Sequence, residues 1–144
     1  MSQDHYYEVR ADWKEERKGN LSSPVLIDTI ECATPPEFPN GVAGIWSPEH
    51  LFTAAISSCY LATFLAIAEN FKLTFRSFSC KTVCKLEVVE GKFQITHAEI
   101  TPELELEDLE QDRDKALKVL EKSKAACLVT NSMKTEITLN TQLL

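Results

Sequence analysis

The chain has 144 residues, 44% of them hydrophobic, and a formal net charge of -7 at pH 7. That length closes one core more readily than two, so a single domain over 1–144 is expected. No stretch gathers Lys and Arg into a basic face, which removes the electrostatic footprint of nucleic-acid binding, and the polar start MSQDHYYEVR lacks the apolar core of a secretory signal, so the cytoplasm is the expected compartment.

In HYYEVRADW, residues 5–13, Tyr7, Val9, Ala11 and Trp13 share one side of a two-residue period and predict a half-buried strand. KEERKGNLSSP follows, polar and containing the Gly19-Asn20 pair, before VLIDTIEC resumes a β-branched pattern. A hairpin of two strands is expected, with Arg17 at or near its turn. ATPPEFPNGVAGI, residues 33–45, holds three of the six prolines and two of the four glycines and cannot sustain a helix or a central strand. Structureless connections beyond about 12 residues are uncommon in compact domains and are often functional. This loop reads either as a wall or lid of a site or as a surface excursion.

Ser47 then supplies an N-cap hydroxyl, Pro48 suits the first helical position, and Glu49 complements the helix dipole. From Leu51 to Ala68 no residue is charged, close to the ~18-residue margin for a membrane span. Thr53, Ser57, Ser58 and Thr63 interrupt the run, Glu49 and Glu69 flank it, and no cation anchors its start. A helix buried in a soluble fold is expected instead, with no membrane partner. Its apolar residues Leu51, Phe52, Ala55, Ile56, Leu61, Phe64, Leu65 and Ile67 point in nearly every direction, the pattern of a helix enclosed on all sides. One sheet of a chain this short cannot enclose it, so the sequence predicts a homodimer with this helix at the interface.

TFRSFSCKTVCKLEVV and KFQITHAEITPELEL alternate on either side of Glu90-Gly91 and read as a long hairpin. EDLEQDRDKALKVLEKSKAA places Leu109, Ala116, Leu117 and Leu120 on one stripe of an amphipathic helix ending near Cys127. MKTEITLNTQLL closes the chain as a strand. The order is two strands, a loop, a buried helix, two strands, an amphipathic helix and a strand, which falls in the α+β class.

Five cysteines at unrepeated spacings fit reduced thiols better than a secreted disulfide framework. Cys59, between Ser58 and Tyr60, fits either of two roles: a small hydrophobe in a core, or a nucleophile, which needs an electropositive and partly accessible setting. Cys127 stands at a helix C-terminus, whose dipole does not favour a thiolate, and reads as a buried neighbour of the cap. Cys80 and Cys84 share one face of a strand, roughly 13 Å apart, too far for a common metal or a disulfide. Cys32 ends a strand. His5, His50 and His97 are scattered and make no zinc spacing.

SPEHLFTAAISSCYLATFLAIA, followed some seventy residues later by CLVTNS, resembles the paired cysteine motifs of the OsmC/Ohr family, the osmotically inducible protein C and organic hydroperoxide resistance proteins. The element order agrees, and the resemblance extends over essentially the whole chain. It implies an OsmC-like fold, an intertwined homodimer, and a cysteine-based peroxidase that reduces organic hydroperoxides without metal, haem or flavin. Cys59 matches the peroxidatic position and Cys127 the resolving one. Arg17, with Lys14 and Lys18 as competitors, and Glu49 match an Arg and a Glu that family members use. The resemblance also implies a dithiol reductant such as a lipoylated protein. Leu128 departs from the family, which commonly has Pro after the second Cys, and this is expected to leave the presentation of Cys127 less fixed.

Physical chemistry supports those implied roles. A nearby guanidinium lowers a thiol pKa, so Arg17 would ionise a buried Cys59 and polarise the peroxide oxygen under attack, with Glu49 holding the guanidinium. Glu49 precedes Cys59 by ten residues, about 15 Å along an unbroken helix, so either the helix breaks or Glu49 serves the Cys59 of the partner chain. Phe38, Phe52 and Ile56 are expected to line the path of an organic tail, although core packing explains Phe52 and Ile56 equally well. The alternatives are a non-catalytic OsmC-fold stress or binding module with Cys59 as packing, and a general thiol-disulfide exchanger.

Overall fold

A computed structural model describes residues 4–144. They group into two compact units, Met1–Phe52 and Thr53–Leu144, and helix α1 (Pro48–Asn70) runs through the boundary.

In the first unit β1 (Arg10–Glu15), β2 (Lys18–Ser22) and β3 (Ile30–Ala33) form an antiparallel sheet in the order β1-β2-β3. Three strands replace the expected two, because the polar stretch read as a connection itself pairs. The tight turn is Glu16-Arg17, with Glu16 at φ 49°, and Gly19-Asn20 lies inside β2. A Cβ on Gly19 would stand 3.0 Å from the Asp12 carbonyl oxygen, so the missing side chain lets β2 lie against β1. The first strand starts at Arg10 rather than His5, and residues 25–29 lie outside any strand. Tyr7 is 92% and Ile27 98% exposed: their alternation meets no apolar layer within the unit.

Apart from Ala33, which ends β3, the Pro-rich loop is free of helix and strand as expected, yet it is internally tied. Val42 N–H donates to the Thr34 carbonyl at 2.9 Å, Phe38 N–H to Pro35 at 3.1 Å and Gly41 N–H to Phe38 at 3.0 Å. A Cβ on Gly41 would fall 1.9 Å from the Pro35 carbonyl oxygen, so only glycine permits this close return of the backbone. The loop leads into α1, whose cap is the predicted one: Ser47 Oγ accepts the His50 backbone N–H at 3.1 Å.

In the second unit β4 (Phe75–Val89) and β5 (Lys92–Leu106) form the long antiparallel hairpin read from the sequence. Glu90 and Gly91 both take positive φ, 51° and 79°, the twist that suits a two-residue hairpin turn. Helix α2 (Leu109–Ala126) begins at Asp108, whose Oδ1 accepts the Gln111 N–H at 3.1 Å. A short helix α3 (Leu128–Asn131) follows that the sequence reading missed. The single closing strand is two pieces, β6 (Glu136–Leu139) and β7 (Gln142–Leu143), each parallel to β5.

The core of this unit forms where the α1 stripe Ile56, Tyr60, Phe64 and Ala68 meets the hairpin. Phe64 stacks on Phe78 at 4.0 Å between ring centroids and meets Phe75 edge-on at 5.3 Å, while Ile100, Leu104 and Leu120 are wholly enclosed. The inner stripe of α2 is Ala116, Val119, Leu120 and Ser123. Leu109 and Leu117 are partly exposed, since Leu117 lies one residue, about 100°, off that stripe. Among the described residues α1 is the one helix long and apolar enough to cross a membrane, but its aromatic packing on β4 gives it the role of a core helix. Only one stripe of it is buried; Ser58, Leu61, Ala62, Leu65 and Ala66 remain exposed, so the enclosure expected on all sides is not met within this chain.

Candidate active site

Tyr60 ties the two helices that carry the site. Its phenol donates to the Leu120 carbonyl at 2.9 Å, and burial, with lesser contributions from Cys80, Glu121 and Cys127, pushes its pKa up, so it stays neutral in that bond. Cys59, the residue before it, is half-buried and turns toward the segment where α2 gives way to α3.

That junction is held by its own backbone. The Cys127 N–H closes on the Lys124 carbonyl, and the Cys127 carbonyl accepts both the Asn131 N–H at 3.0 Å and the Thr130 hydroxyl at 3.2 Å. Asn131 Nδ2 donates back to the Ala125 carbonyl at 3.0 Å. These side-chain and backbone bonds tie the turn where Leu128 stands in place of the proline common in the family. Cys127 itself is wholly buried.

The electrostatics of Cys59 follow from this placement. Burial opposes its ionisation, but the Val129 backbone N–H, the Cys127 thiol, the Thr63 hydroxyl and the Leu128 backbone N–H all hydrogen-bond its sulfur and together hold its pKa below the ordinary thiol value. The Leu128 and Val129 amides open α3, where first-turn N–H groups have no partner inside the helix. A proline at 128 would have no such donor. Sequence reasoning looked to a guanidinium to lower the Cys59 pKa; within the second unit uncharged dipoles also lower it. Sequence reasoning missed these donors because nothing in the side chains of CLVTNS shows that its amides face Cys59.

Cys59, Cys127 and Ile56 belong to the second unit, and Arg17, Glu49, Phe38 and Phe52 to the first. The Cys127 thiol is among the groups whose influence lowers the Cys59 pKa. Arg17 is exposed in the β1–β2 turn, and Glu49, Phe38 and Phe52 are half-buried. The helix does not break between Glu49 and Cys59. Ile56 is wholly buried on the core stripe, which agrees with packing, the role the sequence left open beside substrate lining. Cys80 donates to the Ser57 carbonyl at 3.5 Å, and burial alone pushes its pKa up. All five cysteines are free thiols, and among the described residues no His, Cys, Asp and Glu gather into a metal-binding group.

The fold has known relatives. An OsmC-like protein of unknown function from Vibrio cholerae superposes with a TM-score of 0.80 at 22% identity, covering 98% of this chain and 99% of that one. An organic hydroperoxide resistance protein from Elizabethkingia anophelis gives a TM-score of 0.76 at 18% identity, with 99% and 98% covered. The uncharacterised protein YmaD of Bacillus subtilis is 25% identical over 141 residues, 94% of this chain and 91% of that protein. Residues 41–142, which include both thiols and all of α1, match the family model described as OsmC-like protein, and the chain belongs to that family.

Proposed function

We propose that this protein is a two-cysteine peroxidase that reduces organic hydroperoxides. The observation that carries the reading is the pairing of Cys59 with Cys127 under two backbone amides, which makes Cys59 both ionisable and within reach of a second thiol. The organic hydroperoxide resistance proteins among its structural neighbours support the substrate class.

The Cys59 thiolate attacks the terminal oxygen of ROOH. The O–O bond breaks, the alkoxide leaves and takes up a proton to become ROH, and sulfur is oxidised to the sulfenic acid. Cys127 then attacks Cys59–SOH; the S–S bond forms, and the hydroxyl departs as water with the Cys127 proton. An external dithiol, such as a lipoylated protein, restores both thiols by exchange. Arg17 is assigned to polarise the peroxide and Glu49 to hold its guanidinium. Phe38 and Phe52 are the lining candidates that keep surface to offer an organic tail; Ile56 has none. The cytoplasm is the assigned compartment, since five cysteines at unrepeated spacings suit reduced thiols.

The working unit is a homodimer in this reading. The uncovered face of α1 carries Ser58, Ala62 and Ala66 at four-residue spacing, small enough for a second α1 to approach closely. Since α1 is unbroken, Glu49 is assigned to the Cys59 of the partner chain. A mixed dimer of Glu49→Ala and Cys59→Ser chains then keeps one working site; loss of both would return Glu49 to its own chain.

One equivalent of cumene hydroperoxide added to reduced protein should yield a Cys59–Cys127 link by mass spectrometry. Cys59→Ser should lower peroxide consumption by about two orders of magnitude or more, and Cys127→Ser should stop at a sulfenic acid trapped by dimedone. Slow consumption with no link would favour a non-catalytic member of the family.

A further inference from the structure

We propose that Thr63 is a positioning residue for Cys59, its γ-hydroxyl donating to the Cys59 thiolate and holding the sulfur toward the turn that carries Cys127. Thr63 Oγ1 lies 3.9 Å from Cys59 Sγ, one turn further along α1, and the four-residue spacing sets both side chains on one face. A thiolate has no proton to give, so in the reactive state the hydroxyl is the donor.

The groups that face Cys59 show why one hydroxyl matters. From α1 comes Thr63; from the α2–α3 junction come the Cys127 thiol and the Leu128 and Val129 amides. They are one hydroxyl, one thiol and two amides, and none is a charged side chain. Burial works against the thiolate, so ionisation rests on a few dipoles whose individual losses are felt. Cys127 is consumed when the disulfide forms, and the amides belong to the backbone. Thr63 is the one side-chain donor of the set that persists through the cycle. Its catalytic meaning rests on the reading of Cys59 as the peroxidatic nucleophile; its effect on the sulfur does not need peroxide.

The test is the pH profile of Cys59 alkylation by iodoacetamide, resolved by site with mass spectrometry, in the wild-type protein, Thr63→Val and Thr63→Ser. Valine keeps the branch and volume and removes the donor. Its profile should move to higher pH, with alkylation roughly three- to tenfold slower below the wild-type midpoint, since thiolate fraction changes tenfold per pH unit there. Serine should restore most of the wild-type rate. An unmoved Thr63→Val profile overturns the proposal, as does a shift that serine fails to reverse, which would mean packing rather than the hydroxyl. Peroxide-driven Cys59–Cys127 linkage in the same wild-type sample tests the peroxidase reading apart from this: a moved valine profile without linkage keeps Thr63 as donor and removes the peroxidase.

Discussion

In the second unit Ile56, Tyr60, Phe64, Ile100, Leu104 and Leu120 are wholly buried, whereas in the first unit every residue of β1 is exposed and Tyr6, Tyr7 and Ile27 keep more than nine-tenths of their surface. Both regions carry apolar periodicity in their sequences. What differs is the cover: the long hairpin gives α1 a surface to pack on, and no described residue of the first unit does this for β1. Burying one large apolar side chain is worth about 1.5–3 kcal/mol, so periodicity stabilises a fold only where a second layer exists. The largest effect expected from this contrast is in the second unit. Phe64→Ala removes the ring stacked on Phe78 and edge-on to Phe75 and should cost roughly 3–5 kcal/mol of stability, read as a lower urea midpoint with unchanged slope.

The uncovered surfaces should respond to association instead. Leu65, 47% exposed on the outer face of α1, changes little inside the chain when replaced by Asp. If a second α1 packs there, Leu65→Asp leaves a buried unpaired charge and should weaken dimerisation by about 3 kcal/mol or more, seen as a monomer by sedimentation. Ile27→Ser should act in the same direction at the first unit and by less, roughly 1–2 kcal/mol. A monomeric wild-type protein at micromolar concentration would break this side of the comparison.

The same contrast explains what the sequence made legible. The β4–β5 hairpin, its Glu90-Gly91 turn, the Ser47-Pro48 helix start and the end of α2 near Cys127 follow local rules, and local rules were met. The hairpin of the first unit was misread because Gly19-Asn20 looked like a turn; the tight contact of Gly19 with Asp12 is a cross-strand fact that no single strand displays. Leu117 was placed on the wrong stripe because a helix with many charges has its inner face chosen by what it packs on. At the site, the pairing of Cys59 with Cys127 came from resemblance rather than spacing. The donors that tune Cys59, two of them amides, leave no mark in side-chain identity.

Cys59 and Cys80 sharpen the comparison to single atoms, and their expected effects are the smallest. Both are half-buried, Cys59 on α1 and Cys80 on β4, and Cys80 bonds the carbonyl of Ser57, two residues before Cys59. Burial opposes ionisation at each. At Cys59 amides, a thiol and a hydroxyl offset it and the pKa falls; at Cys80 nothing does and the pKa rises. Alkylation midpoints should therefore fall on opposite sides of the ordinary thiol value. Linkage gives opposite signs in stability. As pH climbs from the folded Cys59 value to the unfolded thiol value, the folded state ionises first and gains stability, which is lost as pH falls back. As pH climbs from the unfolded thiol value to the folded Cys80 value, the unfolded state ionises first and stability falls. Urea midpoints against pH should then show that Cys59→Ser removes a rise and Cys80→Ser removes a decline. Equal slopes in both variants would mean that burial alone governs the two thiols, and that the amides of Leu128 and Val129 do not reach Cys59 in solution.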